Sequence, residues 1–380
     1  MPVESMSSID DLMSRIESDP YDHEAHFLLG VEYLRQDMVE HAFKEFKETV
    51  RLKPEFAPAH YFLGNIYMYK EWIDEAEKEY ETAINLDPGY LDPHISMAEI
   101  FRIKNKVPEA MTEYNKALSL DPNSVQAHLE LGELYLEVCE LEKSEKEYRQ
   151  VVRLMPEDSD AHLSLSGILY LRLNIEESIA EARESIRLDP GNAYAHIILG
   201  NLLSMRGNNK ESLEEIKKAI GLEPENPEFH YSYGMALLAN EMYDEAMAEL
   251  RKTIKINPYH QEAYIAISDY LLDEDRADDA VSELKGGLKA FPDGDELHYA
   301  LGLLYLDLEK PDEAIEELCA AIRINPEYAE VRYDLGVVYL EKGMLDEAEG
   351  QFRKVLEIDP DYEDARNALD MVLEKSVKKG

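Results

Sequence analysis

An all-α solenoid of antiparallel helix pairs, closed at each end by a capping helix, is the fold this sequence predicts. Three observations predict it. Pro20, Pro54, Pro88, Pro122, Pro156, Pro190, Pro224, Pro258, Pro292, Pro326 and Pro360 stand 34 residues apart without a slip, and a fixed period of that size marks a stacked array rather than a single globule. Each period carries two segments with helical apolar spacing, the second amphipathic in every copy. Small residues recur at two fixed places, one per segment, where two helices must come close.

The elements follow in order. Residues 1–7 are expected to be disordered. From Ser8 to Ser18, Ile9, Leu12, Met13 and Ile16 recur at helical spacing, with Ser7 and Asp10 placed as a capping box. Residues 1–22 are thus a tail and a half-repeat helix that covers the first full repeat. Ten repeats occupy 23–362, namely 23–56, 57–90, 91–124, 125–158, 159–192, 193–226, 227–260, 261–294, 295–328 and 329–362. With the periodic proline at position 32, the first helix is expected at positions 2–14 and the second at 18–30. Each periodic proline stops a helix, as after Arg51-Leu52-Lys53 and Glu357-Ile358-Asp359. Pro58, Pro93, Pro108, Pro227 and Pro311 fall in first turns, where the missing N–H costs little.

Position 8 is Gly30, Gly64, Ala98, Gly132, Ser166, Gly200, Gly234, Ser268, Gly302 and Gly336, and position 20 is always Ala or Ser, as at Ala42 and Ser178. A glycine inside a helix costs about 1 kcal/mol, so its recurrence needs a compensating close contact. The eighth repeat departs by carrying Gly286-Gly287 within its second helix, and it is expected to be the least stable copy. Residues 363–380 close the array, a last helix over 361–377 presenting Ala365, Leu369, Val372 and Leu373 on one face.

With Leu63-Gly64-x-x-Tyr67, Ala76-x-x-x-Tyr80 and Pro88 on the page, the chain resembles the tetratricopeptide repeat proteins over residues 23–362. Tryptophan, common in that family at position 4, never occurs there, and Leu169, Leu203, Leu237 and Leu271 replace the position-11 aromatic. The resemblance implies a right-handed superhelix whose first helices line a concave groove, with positions 2, 5, 6, 9, 12 and 13 facing it. It also implies a binding scaffold rather than an enzyme.

Composition narrows the partner. A formal charge of −42 opposes nucleic acid and anionic membranes. Met1 to Ser8 lacks the basic start and apolar stretch of a signal peptide, and no apolar run reaches membrane-spanning length. Cytoplasm is the expected location, with Cys139 and Cys319 as reduced thiols.

Groove positions hold sixteen acidic residues against Arg35 and Arg102 alone. Position 5 is apolar or aromatic throughout, including Phe27, Tyr61, Tyr231, Ile265, Tyr299 and Tyr333. Such a stripe packs as core in many helices, whereas tyrosine is enriched at binding hot spots. The expected site therefore lies in repeats 7–10: Tyr231, Ile265, Tyr299 and Tyr333 among Glu228, Glu262, Asp269, Asp273, Glu296, Glu330 and Asp334, with Tyr61 and Phe27 as further contacts. A basic, partly apolar peptide or protein segment suits it. The Lys, Arg and Asn clamp that grips acidic chaperone tails is missing from those positions.

A histidine column at position 4, His26, His60, His94, His128, His162, His196, His230 and His298, gives one ligand per repeat. Helix axes lie about 8–10 Å apart while zinc needs nitrogens about 2 Å away, so a structural role is expected. No catalytic or phosphate-binding motif is present, and no metal or cofactor is expected. Asp273 to Asp279 lacks the turn glycine and bidentate glutamate of a calcium loop and reads as an interhelical turn. Two other readings remain: a self-assembling scaffold acting through outer or end surfaces, and a non-catalytic accessory subunit of an enzyme complex.

Overall fold

The computed structural model describes residues 8–379, with side chains through residue 376. Among the described residues there are 22 α-helices and no strand. They form two compact units, Met1–Leu188 and Asp189–Gly380.

In the first unit α1 (Ile9–Ser18) precedes five helix pairs. These are α2 (His23–Arg35) with α3 (Val39–Leu52), α4 (Ala57–Tyr69) with α5 (Ile73–Leu86), and α6 (Leu91–Ile103) with α7 (Val107–Leu120). Then come α8 (Val125–Glu137) with α9 (Leu141–Leu154), and α10 (Ser159–Leu171) with α11 (Ile175–Leu188). The second unit begins with α12 (Ala193–Met205) and α13 (Asn209–Leu222), then α14 (Pro227–Leu238) and α15 (Tyr243–Ile256). It continues through α16 (Gln261–Asp273) and α17 (Ala277–Ala290), α18 (Asp295–Asp307) and α19 (Pro311–Ile324), and α20 (Ala329–Glu341) and α21 (Leu345–Ile358), and ends in α22 (Glu363–Lys379).

Both helices start one residue earlier than the sequence pattern placed them, at positions 1 and 17. In some repeats a cap at position 34 accompanies the first shift. Ser124, Asp158 and Asn192 each accept a hydrogen bond there from the backbone N–H three residues on, while the helices after Phe56, Tyr90 and Tyr328 begin at position 1 without a side-chain cap. The capping box at the N-terminus also moves. It joins Ser8 and Asp11, with N–H to side-chain oxygen distances of 3.1 Å in both directions. Ser7 and the rest of the expected disordered tail, residues 1–7, lie outside the described residues.

Position 8 meets position 24 across each pair. A Cβ on Gly64 would strike the Tyr80 ring, and one on Gly336 would come 2.7 Å from Phe352 Cε1. Position 20 joins the same contact, since Ser166 and Ser178 exchange side-chain to carbonyl hydrogen bonds at 2.8 and 2.7 Å. Between the helices of every pair, position 15 is left-handed: Asp37, Glu71, Asn105, Cys139, Leu173, Glu241, Asp275 and Glu309 at φ 54–60°, with Gly207 and Gly343 in the other two. Of the stretch Asp273 to Asp279, only Glu274–Arg276 form this interhelical turn, centred on Asp275; Asp273 ends α16 and residues 277–279 begin α17.

The histidine column is structural, and its partners are regular. Nδ1 of His60 lies 2.6 Å from Glu79, and Nε2 lies 2.8 Å from the Pro54 carbonyl. The same triplet recurs for His26, His94, His128, His162, His196, His230 and His298, each with the glutamate 19 residues on and the proline six residues back. Each triplet ties one proline turn to both helices of the following repeat. Since Nε2 must donate to the carbonyl, the Nδ1 contact needs a second proton, on the ring or on the carboxyl group. Where position 4 is Tyr264 or Arg332, the side chain still donates to the proline carbonyl, at 3.3 and 2.9 Å.

No helix among the described residues is long and apolar enough to cross a membrane. Both cysteines are free. The last helix buries Ala368 as well as Ala365 and Val372 against Phe352 and its neighbours.

Candidate functional site

The first helices of the second unit present the face on which the expected site residues sit. Tyr231 is half-buried and stands against the His260 ring, with centroids 4.8 Å apart. Burial raises its hydroxyl pKa, and Glu262, Glu228, Asp269 and Glu296 push the same way. The structure therefore gathers five of the expected residues into one electrostatic neighbourhood. His260 itself is buried, with carboxylate oxygens of Glu262 at 2.9 Å and Glu228 at 3.4 Å, although neither ring nitrogen has hydrogen-bond geometry.

Between α16 and α18 a cavity of about 380 Å³ is lined by Ile265, Asp269, Glu296 and Tyr299 from the expected set. Leu272, Leu303, Asp307 and Tyr328 are among the rest of its lining. Burial raises the Asp269 carboxyl, with Asp273 adding to the shift. Burial likewise raises Glu296, helped by Glu262 and Asp295. These carboxylates are thus held with too little positive charge nearby. Between α18 and α20 a second cavity, of about 500 Å³, is lined by Leu303, Leu306, Val337, Asp334 and Glu341. Tyr299 donates its hydroxyl to Asp334 at 2.7 Å, yet burial and Glu330 still leave the Asp334 carboxyl above its ordinary range. Asp273, Glu330 and Tyr333 line neither cavity.

Phe27 and Tyr61 belong to the first unit and to its aromatic core. Phe27 contacts Phe46, Phe56 and Phe62, with centroids 5.1–5.7 Å apart. Tyr61 contacts Phe62, Tyr80 and Tyr90. Ile95 and Ile197, from the same stripe, are buried outright. Position 5 is thus partly core.

A partner column at position 34 went unread in the sequence. Phe27 meets Phe56, Tyr61 meets Tyr90, Tyr231 meets His260, Tyr299 meets Tyr328 and Tyr333 meets Tyr362, each 29 residues on. In the five repeats with an aliphatic residue at position 5, position 34 is Ser124, Asp158, Asn192, Asn226 or Gly294. That covariation within one chain was the signal available. An aromatic ring at position 5 needs a flat neighbour to cover it, whereas an aliphatic one leaves position 34 free to cap the next helix.

In the first unit the corresponding face carries its own cation. Arg102 reaches Glu130, Glu133 at 3.5 Å and Glu137 at 3.2 Å. Burial works against the guanidinium, but Glu130, Glu137 and Glu133 hold its pKa above the ordinary value. Arg35 pairs with Glu32 at 3.3 Å. Among the described residues, no group of three or more His, Cys, Asp or Glu side chains is arranged to hold a metal ion. His23 and His26 diverge, one toward Lys53 and the other toward Glu45.

Comparisons with known proteins agree with this architecture. A tetratricopeptide repeat model matches residues 129–193, 199–260 and 299–363. Further models of the same repeat match 98–138, 237–304 and 57–90. Among solved structures, YrrB, described as a TPR protein with an unusual peptide-binding site, is 22% identical with a TM-score of 0.43, over 48% of this chain and 95% of that one. The MamA protein is 22% identical with a TM-score of 0.41, over 44% and 92%. A tetratricopeptide repeat protein from Parabacteroides merdae ATCC 43184 is 18% identical with a TM-score of 0.46, over 63% and 94%. No curated protein matches the chain. One family model covers half of the sequence, and it does so over the helix pairs described above: the chain belongs to the tetratricopeptide repeat family.

Proposed function

We propose that this protein is a scaffold that binds a basic, partly apolar segment of a partner protein along the first-helix face of repeats 7–10. Tetratricopeptide repeat proteins generally mediate protein–protein interaction and are generally non-catalytic. The finer reading rests on one observation above all: Asp269, Glu296 and Asp334 are raised in pKa by burial and, in each case, by acidic neighbours of their own, beside Tyr231 and Tyr299. Carboxylates in that condition gain most from an incoming cation. The half-buried tyrosines supply apolar area with a polar tip. The same reading keeps the chain in the cytoplasm, away from nucleic acid and membranes, without cofactor or metal.

The test is affinity capture from native lysate with wild type and with a Tyr231→Ala, Tyr299→Ala, Tyr333→Ala variant whose helicity and melting are first shown to match. A basic partner held by wild type and lost by the variant supports the reading. If both retain the same proteins, binding lies elsewhere. If wild type retains only further copies of itself, and sediments as an oligomer, self-assembly replaces it.

A further inference from the structure

The two units each contain a cleft lined by the same repeat positions, and only one of them carries a guanidinium of its own. In the first unit the cleft between α6 and α8 is bordered by Glu99, Arg102, Asn105 and Val107 from one repeat and Glu130 and Glu137 from the next. In the second unit the cleft between α18 and α20 is bordered by Leu303, Leu306, Glu309 and Pro311, then Asp334 and Glu341. Position for position these are 9, 12, 15 and 17 of the leading repeat and 6 and 13 of the following one. The carboxylates at 6 and 13 are kept, although Asp334 also accepts the Tyr299 hydroxyl, and Glu133 at position 9 gives way to Val337. The residue at 12 is not: Arg102, whose guanidinium sits among Glu130, Glu133 and Glu137, is replaced by Leu306.

We infer that the cleft between α18 and α20 receives an arginine side chain from the partner, in the seat that Arg102 fills from within the chain in the first unit. The inference rests on the groove reading above and specifies one contact within it. The open volume of the second cleft is about 500 Å³, room enough for an arginine side chain. Leu303, Leu306, Val337 and Val338 flank it and suit the aliphatic stem of an arginine. Asp334, held above its ordinary pKa by burial and Glu330, takes the place of Glu130, and Glu341 takes the place of Glu137. A planar fork of donors spans two carboxylates better than the point charge of a lysine. The protein's own Arg102, seated among carboxylates at the same repeat positions, is what marks the arrangement as a guanidinium seat rather than a mere acidic cluster.

The test uses the full chain and the peptide acetyl-Ala-Leu-Ala-Arg-Ala-Leu-Ala-amide, alongside a twin in which citrulline replaces arginine, both titrated calorimetrically. Citrulline keeps the shape and removes the charge. The arginine peptide is expected to bind at least about tenfold tighter than its twin. In Leu306→Arg, which rebuilds the internal guanidinium, that ratio should fall to near one. The isosteric pair Asp334→Asn, Glu341→Gln should abolish it as well, and it carries the test if Leu306→Arg does not fold. Arg102→Leu, which empties the first cleft, should add a second equivalent of arginine peptide. Equal affinity of the twins for wild type overturns the inference, as does a ratio that survives both Leu306→Arg and the isosteric pair. If the twins bind equally and the triple tyrosine variant loses both, the arginine seat falls while the groove reading stands. If neither peptide binds wild type at all, both fall.

Discussion

Leu173 shows how much of this chain is set by position rather than by residue type. It is 78% exposed and sits at φ +60°, where its Cβ crowds the following carbonyl. The left-handed region costs such a residue roughly 1–2 kcal/mol, and glycine there gives back about 0.5–1 in unfolded-chain entropy. Leu173→Gly should therefore stabilise its repeat by roughly 0.5–1 kcal/mol, read as stronger amide protection in α10 and α11. Gly207 and Gly343, at the same repeat position, pointed to this conformation in the sequence. Their spacing went unread because eight other residues, of five types, share the site. The histidine column was legible as structural, but its partners were not. A glutamate 19 residues on becomes a neighbour only when two helices fold back on each other.

Among the elements, α17 is the informative one, because its two glycines stand in opposite situations. A Cβ at Gly286 would meet nothing within 4 Å, while one at Gly287 would come 3.0 Å from the Tyr264 ring and 3.1 Å from Leu297. Gly286→Ala should stabilise the helix by about 1 kcal/mol. Gly287→Ala should destabilise it by about 1–3 kcal/mol, since an aromatic ring and a leucine must both shift. Hydrogen exchange on the wild type should show residues 277–290 opening before the second helices on either side. Equal protection across these helices would contradict the expectation drawn from the glycine pair. The pairing of helices was plain in the sequence because each period repeats one local solution. The first-helix start at position 1 was not, since helix ends carry no apolar periodicity of their own and only some repeats mark this one with a capping residue.

At the scale of the whole molecule, pH should reveal the buried ionisable groups. Burial alone would lower His60, but its bonds to Glu79 and the Pro54 carbonyl raise it above the ordinary 6.5. Its contribution to stability is full below about 6.5 and is lost as pH rises through the folded value. Burial also raises Asp269, Glu296 and Asp334, and their effect has the same sign, favouring acid. Glu145 and Glu177 are lowered overall; bonds from Arg172 and Arg149 outweigh burial, so their contribution is lost as pH falls below the ordinary 4.5. Melting temperature should accordingly peak between about pH 4.5 and 6.5, higher than at pH 8. Glu79→Gln should flatten the alkaline side, because an amide N–H can donate to Nδ1 without a second proton; Arg332 with Gln351 already replaces the pair in the last repeat. Added salt should weaken capture of a basic partner several-fold, and salt-independent affinity would remove the carboxylates from the mechanism.

The sequence alone determined the family, the all-α pairing and the number of helices, because a period of 34 residues makes every repeat solve the same packing problem with its nearest neighbours. The resemblance to the repeat family, rather than the spacing itself, implied that Tyr231, Tyr299, Glu228, Glu262, Asp269 and Glu296, carried on three successive first helices, share one face. The tertiary structure decided which of those charges are satisfied. Arg102 finds Glu130, Glu133 and Glu137 from the next repeat, whereas Asp269 and Glu296 are raised by burial and neighbouring acids. It decided, too, that Phe27 and Tyr61 spend their rings on the aromatic core of the first unit. Charge balance and ring contact depend on residues 19 to 35 apart being brought within a few ångströms, and only the packing of successive helices sets those distances.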